Sequence, residues 1–234
     1  MSTEERMARI DDILTRKQPH LQVFLDNVHN SQNLSTIIRT ADAVGVLDIF
    51  YATPLNETLR IHKTITQGAH RWTHRHRVTD SDTVKFLQQK KEEGFQVVVT
   101  HLEERAVNFR EVDYTKPTLI VMGNEKEGVS DEFIAEATDV IVIPMQGMVQ
   151  SLNVSVATAL ILYEAERQLD NAGMYDIPQI SLKKRKEIKD AWVYRDTIAR
   201  RSKGEIALEF KEELITFDSL SPRGTKRYLS LPFP

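Results

Sequence analysis

Three segments of the 234-residue sequence place polar or flexible residues where a ligand could bind. The first, Asn27-Val-His-Asn-Ser-Gln-Asn33, leads into a predicted helix that carries Arg39, so amide groups are followed by a guanidinium. Asn and Ser are also common turn and cap residues. Arg39 shares a helix face with Asp42, so a turn and a surface ion pair are the simpler explanation of this segment alone.

The second segment, Gly123-Asn-Glu-Lys-Glu-Gly128, has a glycine at each end, which permits a close approach of the backbone to a ligand. Its Gly-x4-Gly spacing is that of a P-loop, but Val129 stands where the phosphate-binding lysine must be. No GxGxxG follows a predicted strand either. A P-loop nucleotide triphosphatase and an ordinary dinucleotide-binding fold are therefore disfavoured.

The third segment is Pro144-Met-Gln-Gly-Met-Val-Gln-Ser-Leu-Asn153. Its two methionines offer a flexible apolar wall, and its Ser and Asn add hydrogen-bonding groups at a helix start. This combination is unusual for a mere connection between two elements.

The elements that position these segments alternate between strands and helices. Hydrophobic periodicity predicts an N-terminal helix within 1–20, strands at 21–25, 48–52, 73–78, 95–100, 118–122 and 140–143, and helices at 31–44, 58–67, 81–93, 130–137 and 152–169. Repeated βα units indicate an α/β fold, a parallel sheet with helices on both faces. Ligands bind beyond the carboxyl ends of such strands. The last helix is apolar nearly all round, which predicts burial, with a subunit interface as one cover.

Composition excludes several classes of protein. The absence of cysteine rules out disulfide frameworks, thiolate zinc sites and cysteine nucleophiles. No apolar run approaches the roughly 20 residues of a membrane span, and the start MSTEERMARIDDIL lacks the basic and apolar regions of a secretory signal. We expect a cytoplasmic protein with no membrane association and no metal.

The charge is unevenly distributed along the chain. The net charge is -3, yet residues 181–203 contain nine basic and three acidic residues. A second basic segment, residues 60–77, has five Lys/Arg, four histidines and no acid. Two basic patches on an acidic body indicate a polyanionic partner, although a solvated helix face explains such a charge run as well.

Taken together and in this order, the three segments resemble the motifs of the SPOUT (α/β-knot) methyltransferases, and most closely those of the TrmH branch. The matching residues read NxHNxxNxxxxxRTADAxGV, MGNEKEGVS and IPMxGMVQSLNVSVAxAxxLYEAxRQ, within a similarity that covers about residues 20–175. The resemblance implies S-adenosylmethionine-dependent 2′-O-ribose methylation of guanosine 18 in the D-loop of tRNA. It also implies that the C-terminal part of the sheet domain is threaded into a trefoil knot.

The resemblance also implies a domain organisation and a cofactor site. We expect an N-terminal helical extension at 1–20, the methyltransferase domain at 21–170 and a basic RNA-binding extension at 171–234. The positions that match cofactor-contacting positions of the family are Thr100, Met122, Gly123, Ile143, Met145 and Leu152. Aliphatic walls with main-chain hydrogen bonds are what adenine requires.

Five polar residues match the catalytic positions of the family: Asn33, Arg39, Glu125, Ser151 and Asn153. A ribose 2′-OH is a poor nucleophile, so methyl transfer requires alignment and help in removing the proton. The guanidinium of arginine stays protonated in proteins. We therefore expect Arg39 to orient the hydroxyl and stabilise the developing alkoxide, and the final proton acceptor is left open.

Basic residues of both patches are expected to contact RNA phosphates without reading sequence. They are Lys183, Lys184, Arg185, Lys186, Arg200 and Arg201 in the C-terminal extension, and Arg71 and Arg75 in residues 60–77. The partners implied are tRNA and a second copy of the chain, since members of the family act as homodimers.

Other readings remain open from the sequence. The nearest is a 2′-O-methyltransferase that acts on ribosomal RNA or on another tRNA position. Such ribosomal enzymes typically have a large N-terminal RNA-binding domain, whereas about 20 residues precede the first strand here. A non-catalytic RNA-binding module and a small-molecule α/β enzyme are the other classes. A non-catalytic RNA-binding module predicts loss of Arg39 or of the third segment, and both are present. A small-molecule enzyme leaves the two basic patches unexplained.

Overall fold

The computed structural model describes residues 3–52, 60–124 and 127–201. The chain divides into two compact units, Met1–Ile180 and Ser181–Pro234. The described part of the second unit is one helix, α7 (Leu182–Arg201). No helix within the described ranges is long and apolar enough to cross a membrane.

The first unit alternates helices and strands along the chain. In order these are α1 (Thr3–Arg16), β1 (Leu21–Asp26), α2 (Ser31–Ala43), β2 (Asp48–Ala52), α3 (Lys63–Thr66), β3 (His74–Val78), α4 (Thr83–Glu92), β4 (Gln96–Thr100), β5 (Val107–Asn108), β6 (Thr118–Met122), α5 (Asp131–Glu136), β7 (Asp139–Val142) and α6 (Val154–Asn171).

The seven strands form one sheet in the order β3-β2-β1-β6-β4-β7-β5, and each of these pairings is parallel. The predicted parallel sheet is therefore confirmed. β6 enters between β1 and β4, so that Ile120 lies beside Val23 on one side and Val98 on the other. This insertion brings together strands that are far apart along the chain.

Alternate strand residues face two separate hydrophobic cores, one on each side of the sheet. On one side Val23 and Ile120 pack with residues of α2 and α6, such as Ile38 and Leu162. On the other side Phe24 packs against Phe86 of α4 and Phe133 of α5, with ring centroids 5.4 and 4.6 Å away. The helices thus cover both faces, as the sequence predicts.

Several element boundaries differ from the prediction. Of the helix predicted at 58–67, only α3 is helical within the described residues: residues 60–62 are not helical, and Gln67 ends the helix in a left-handed backbone conformation, with a 3-10 turn following at Ala69–Arg71. Residues 53–59 lie outside the described residues. α4 starts at Thr83, after a 3-10 turn, rather than at Ser81. β5 has two residues, too few to produce a periodic pattern.

The end of α2 is fixed by contacts with the end of α1. Gly45 has a φ of +84°, and a Cβ there would lie 2.8 Å from the carbonyl oxygen of Arg16. The fully buried Lys17 ammonium donates to Asp42 at 2.7 Å and to the carbonyl of Val46 at 3.2 Å. Burial lowers the pKa of Lys17, while the attraction of Asp42 opposes this shift. Asp42 therefore pairs with Lys17 and not with Arg39.

Helix α6 has one buried face and one exposed face in the single chain. Ile161 and Leu162 are fully buried against the sheet. Val156, Leu160 and Tyr163, spaced by four and three residues, are 48%, 41% and 53% exposed. The predicted burial is therefore confirmed for one face, and the cover of the other face by a second subunit stays a prediction.

Edge strand β3 is fastened to β2 by polar side chains as well as by the backbone. The Asp48 carboxylate is fully buried and lies 2.7 Å from His76 Nε2 and 3.2 Å from His74 Nδ1. Burial by itself raises the pKa of Asp48, but the hydrogen bonds and charges of the two histidines outweigh this effect and hold the pKa at about 2.

Candidate active site

A cleft of about 650 Å³ opens at the carboxyl ends of β4, β6 and β7, which are neighbours in the sheet. All six residues predicted to contact a cofactor line it: Thr100, Met122, Gly123, Ile143, Met145 and Leu152. The strand order brings them together, since β4 lies between β6 and β7. Their role in binding a cofactor stays a prediction.

The walls of the cleft are largely aliphatic. Leu102, Ile141 and Val154 add to the predicted apolar residues. The Thr100 hydroxyl donates to the carbonyl of Val121 at 3.1 Å, so it serves the sheet. Aliphatic walls combined with loop backbone suit a flat heterocycle that is held by main-chain groups.

The described residues of the second loop (residues 123, 124 and 127–130 of the segment 123–130) fold back on one another after β6. Backbone hydrogen bonds of 3.0 and 3.1 Å join Asn124 and Gly128 in both directions, and the side-chain oxygen of Asn124 accepts from the amide of Glu127 at 2.7 Å. A Cβ at Gly123 would lie 2.1 Å from the carbonyl carbon of Gly128. Only glycine therefore fits at this wall of the cleft. Glu125, predicted to be catalytic, lies outside the described residues.

Asp26, which no sequence motif indicates, connects the first loop (residues 27–33) to the second loop. It ends β1, is 3% exposed, and its Oδ2 accepts a hydrogen bond from the amide of Ser130 at 2.7 Å. Asn27, in the left-handed region with a φ of 51°, donates to Asp26 Oδ1 at 3.2 Å. The sequence signal for this role is an acidic residue at the end of the otherwise largely apolar strand LQVFLD.

A second side-chain hydrogen bond connects the first loop to the third loop (residues 144–153). Asn153 Nδ2 donates to Asn33 Oδ1 at 3.1 Å, so two residues predicted to be catalytic are in contact. Asn153 also caps α6, because its Oδ1 accepts from the amide of Ser155 at 2.9 Å. Asn30 caps α2 in the same way, which confirms the capping function expected for part of the first segment.

The remaining predicted catalytic residues occupy different positions. Ser151 is exposed and lines the cleft. Arg39 is exposed on α2 and donates to the carbonyl of Ile65 at 3.4 Å, and it is not among the described residues that line the cleft. The structure thus brings Asn33, Ser151 and Asn153 to the cleft region, and leaves Arg39 outside the cleft wall.

The basic residues predicted to contact RNA differ in exposure. Lys183 and Lys186 are exposed on α7, whereas Lys184 and Arg185 are half-buried, as are Arg71 and Arg75. Burial lowers the pKa of Arg75. The side chains of Arg200 and Arg201 lie outside the described residues. Trp72, next to Arg71 in the same basic segment, is also half-buried.

Comparison with known proteins gives consistent matches. A family model described as the SpoU rRNA Methylase family matches residues 20–163. A tRNA (guanosine(18)-2'-O)-methyltransferase of Aquifex aeolicus (strain VF5) is 48% identical over 200 residues, which are 86% of this chain and 94% of the relative.

Solved structures match as well. The A. aeolicus TrmH/SpoU tRNA modifying enzyme is 49% identical with a TM-score of 0.79, over 82% of this chain and 97% of that chain. An AdoMet-bound rRNA methyltransferase from Sinorhizobium meliloti is 35% identical with a TM-score of 0.58, over 68% of this chain and 60% of that chain.

The hydrogen bond between Asp26 and Ser130 generates a prediction. Asp26→Ala removes the acceptor that anchors the second loop, so S-adenosylmethionine should bind about tenfold more weakly, the loss expected for one hydrogen bond to a buried carboxylate. Asp26→Asn keeps an acceptor oxygen and should restore most of the affinity. Isothermal titration calorimetry measures both, with Asp131→Ala, an exposed acid on α5, as the control. Binding of Asp26→Ala at the wild-type affinity contradicts this assignment.

Proposed function

The chain belongs to the SpoU rRNA methylase family, and on that premise we propose that it is an S-adenosylmethionine-dependent tRNA (guanosine-18-2′-O)-methyltransferase. The observation that carries the proposal is the cleft at the ends of β4, β6 and β7, where the second and third motif loops meet. The name of the 48% identical A. aeolicus relative supplies the nucleotide and the RNA class.

The residues of the cleft fit S-adenosylmethionine. A volume of about 650 Å³ lies within the range of roughly 300 to 1,000 Å³ that small-molecule pockets span. Met122, Ile143 and Leu152 supply apolar surface for an adenine ring, and the turn at Gly123 brings backbone groups close. When bound, the cofactor supplies an electrophilic methyl group on a sulfonium.

We assign the activation of the ribose to Arg39. A guanidinium stays protonated in proteins, so Arg39 donates hydrogen bonds and does not abstract the proton. At a 2′-oxygen it fixes the direction of the lone pair and stabilises the alkoxide that develops during attack. Its exposure on α2 leaves its donors accessible to an RNA.

The polar residues near the cleft position the third loop and the ribose. The hydrogen bond between Asn33 and Asn153 holds the start of α6 against α2. Ser151, two residues earlier in sequence than Asn153, lines the cleft and offers a hydroxyl to the ribose. The role of Glu125, which the resemblance implies, stays a prediction.

We further propose that the active form is a homodimer. The stripe of Val156, Leu160 and Tyr163 is a row of large apolar side chains, of the kind that a partner subunit covers. Because Arg39 does not line the cleft of its own chain, a second copy packed on this stripe supplies its Arg39 to the cleft.

Helix α7 is proposed to hold the tRNA backbone. Lys183 and Lys186 are exposed on its first turns and can contact phosphates, which provides affinity without sequence reading. The domain limits at residues 20 and 170 and the cytoplasmic location stay predictions.

The trefoil knot also stays a prediction. It is supported by the attachment of the segment between β5 and β6 to helix α6. Gln168 of α6 accepts from the amide of Tyr114 at 2.9 Å and donates to the carbonyl of Val112 at 3.0 Å. These bonds hold the segment against the helix that the knot would thread.

The activity is tested with unmodified tRNA and labelled S-adenosylmethionine. We expect a single methyl group on the ribose of guanosine 18, located by nuclease digestion and mass mapping. Arg39→Ala should lower the single-turnover rate by at least about 100-fold, as expected when a donor that stabilises the developing alkoxide is removed, and should leave cofactor affinity unchanged.

Arg16→Ala, which removes another exposed arginine, is the matched control and should retain the wild-type rate. Methylation of ribosomal RNA, or of another tRNA nucleotide, contradicts the proposed substrate. A near wild-type single-turnover rate for Arg39→Ala contradicts its catalytic assignment.

Analytical ultracentrifugation tests the dimer. The wild type should sediment at twice the chain mass of 26.9 kDa. Leu160→Asp places a charge in the centre of the apolar stripe and should give an inactive monomer, because a charge buried without a partner is costly. Asp170→Ala, at an exposed position of the same helix, should remain dimeric. An active wild-type monomer at assay concentration contradicts the dimer.

Salt dependence tests the binding of RNA phosphates by α7. The pair Lys183→Glu and Lys186→Glu should weaken binding of every tRNA and make the slope of log affinity against log salt shallower by about 0.7 to 0.9 for each phosphate that is no longer neutralised. The control pair Lys85→Glu and Lys116→Glu changes the net charge equally at exposed sites elsewhere. Equal effects of the two pairs contradict a specific role for α7.

A further inference from the structure

Three side chains with metal-binding chemistry meet at the amino-terminal ends of β2 and β3. Asp48 is the first residue of β2, and His74 is the first residue of β3. Because the strands are parallel, this end of the sheet is opposite the end at which the cleft opens. The cluster is therefore separate from the methyl-transfer site.

The register of the two strands places the three side chains on one face. Asp48 lies beside His74, and Phe50 lies beside His76. Alternate residues of a strand face the same side, so Asp48, His74 and His76 all extend from one surface of a paired, hydrogen-bonded backbone. Ligands on such a frame are held in place before an ion binds.

The ligand atoms are close enough to share one ion. One ring nitrogen of His74, one of His76 and a carboxylate oxygen of Asp48 all lie within 4.8 Å of one another. Zinc binds imidazole nitrogen and carboxylate oxygen at about 2.0 to 2.2 Å, which corresponds to ligand atoms roughly 3.3 Å apart in a tetrahedron. The observed separations of 2.7 and 3.2 Å from the carboxylate oxygen would have to lengthen by about 0.6 and 0.1 Å to match this spacing.

The hydrogen bonds of the cluster reach only one of the two carboxylate oxygens of Asp48. Both imidazoles approach the same oxygen, Oδ1 of Asp48, whereas Oδ2 is buried and has no hydrogen-bond partner within the part of the chain that the structure describes. A buried carboxylate oxygen without a donor costs folding free energy. A cation that the Asp48 carboxylate binds through both oxygens would satisfy Oδ2 together with the lone pairs of the two imidazole nitrogens.

The surroundings orient the ligands and leave one side open. His76 stacks on Phe50 with ring centroids 4.9 Å apart, which fixes the imidazole plane. The side chains of His74 and His76 are 21% and 23% exposed, so water can reach the cluster and take a fourth position. Two imidazoles, one carboxylate and a water form a donor set that suits zinc.

We propose that Asp48, His74 and His76 form a binding site for a divalent zinc-like ion that fastens the edge strand β3 to β2. The ion stabilises the strand whose opposite face carries Arg75 and Arg77. This differs from the sequence-based expectation of no metal, because only strand pairing brings residue 48 next to residues 74 and 76.

Titration of the EDTA-treated, full-length protein with Co²⁺ tests the site. We expect a saturable visible absorption band at one ion per chain, which Zn²⁺ displaces. His76→Gln keeps a hydrogen-bond donor for Asp48 but removes a ligand, so binding should weaken by more than the roughly 10- to 100-fold cost of losing an outer-sphere partner. His62→Gln, an exposed histidine of the same basic segment, should bind like the wild type.

Two further measurements keep the test decisive. Zn²⁺ should raise the melting temperature of the wild type and not that of the His74→Gln, His76→Gln variant. In the wild type alone, nitrogen NMR should show the ring resonances of these two histidines shifting with one equivalent of Zn²⁺. Unsaturable Co²⁺ binding, unshifted rings or equal affinity in the variant would overturn the proposal.

Discussion

The parallel pairing of β6 between β1 and β4 is the constraint on which the rest of the structure depends. Each of these parallel strands ends in a loop at the same end of the sheet, and β7 is joined to them through its pairing with β4. Residues as distant in sequence as Thr100, Gly123 and Leu152 thereby line one cleft.

Two hydrogen bonds between side chains and loops convert this proximity into a defined geometry. The buried carboxylate of Asp26 accepts a hydrogen bond from the backbone amide of Ser130, and the side-chain amide of Asn153 donates to the side-chain oxygen of Asn33. The end of β1 at Asp26 therefore contacts the second loop, and the first loop contacts the third through Asn33, although neither contributes a residue to the cleft lining in the described part of the chain. Its contribution is to position the groups that shape the cleft.

Much of this architecture could be predicted from the sequence, because the spacing of apolar residues in strands and helices reflects which side chains are buried. Buried strands such as Thr118–Met122 are continuous apolar runs, and the three polar segments are conspicuous between them. The cofactor positions followed from motif resemblance. What could not be predicted depends on pairing across the chain. The link from Asp26 to Ser130, the convergence of Asp48 with His74, and the exposed face of α6 arise only when strand order and packing are fixed.

The two edges of the sheet have a consequence for the behaviour of the protein at high concentration. An open edge presents unpaired backbone groups that can recruit a strand from another molecule and start aggregation. Here β5 offers only two residues, and the other edge, β3, alternates histidine with arginine over His74–Arg77. A second β3 that approached edge to edge would meet like charge on its arginine-bearing face. The same basic strand that was considered for RNA binding thus also opposes the extension of the sheet by a second folded chain.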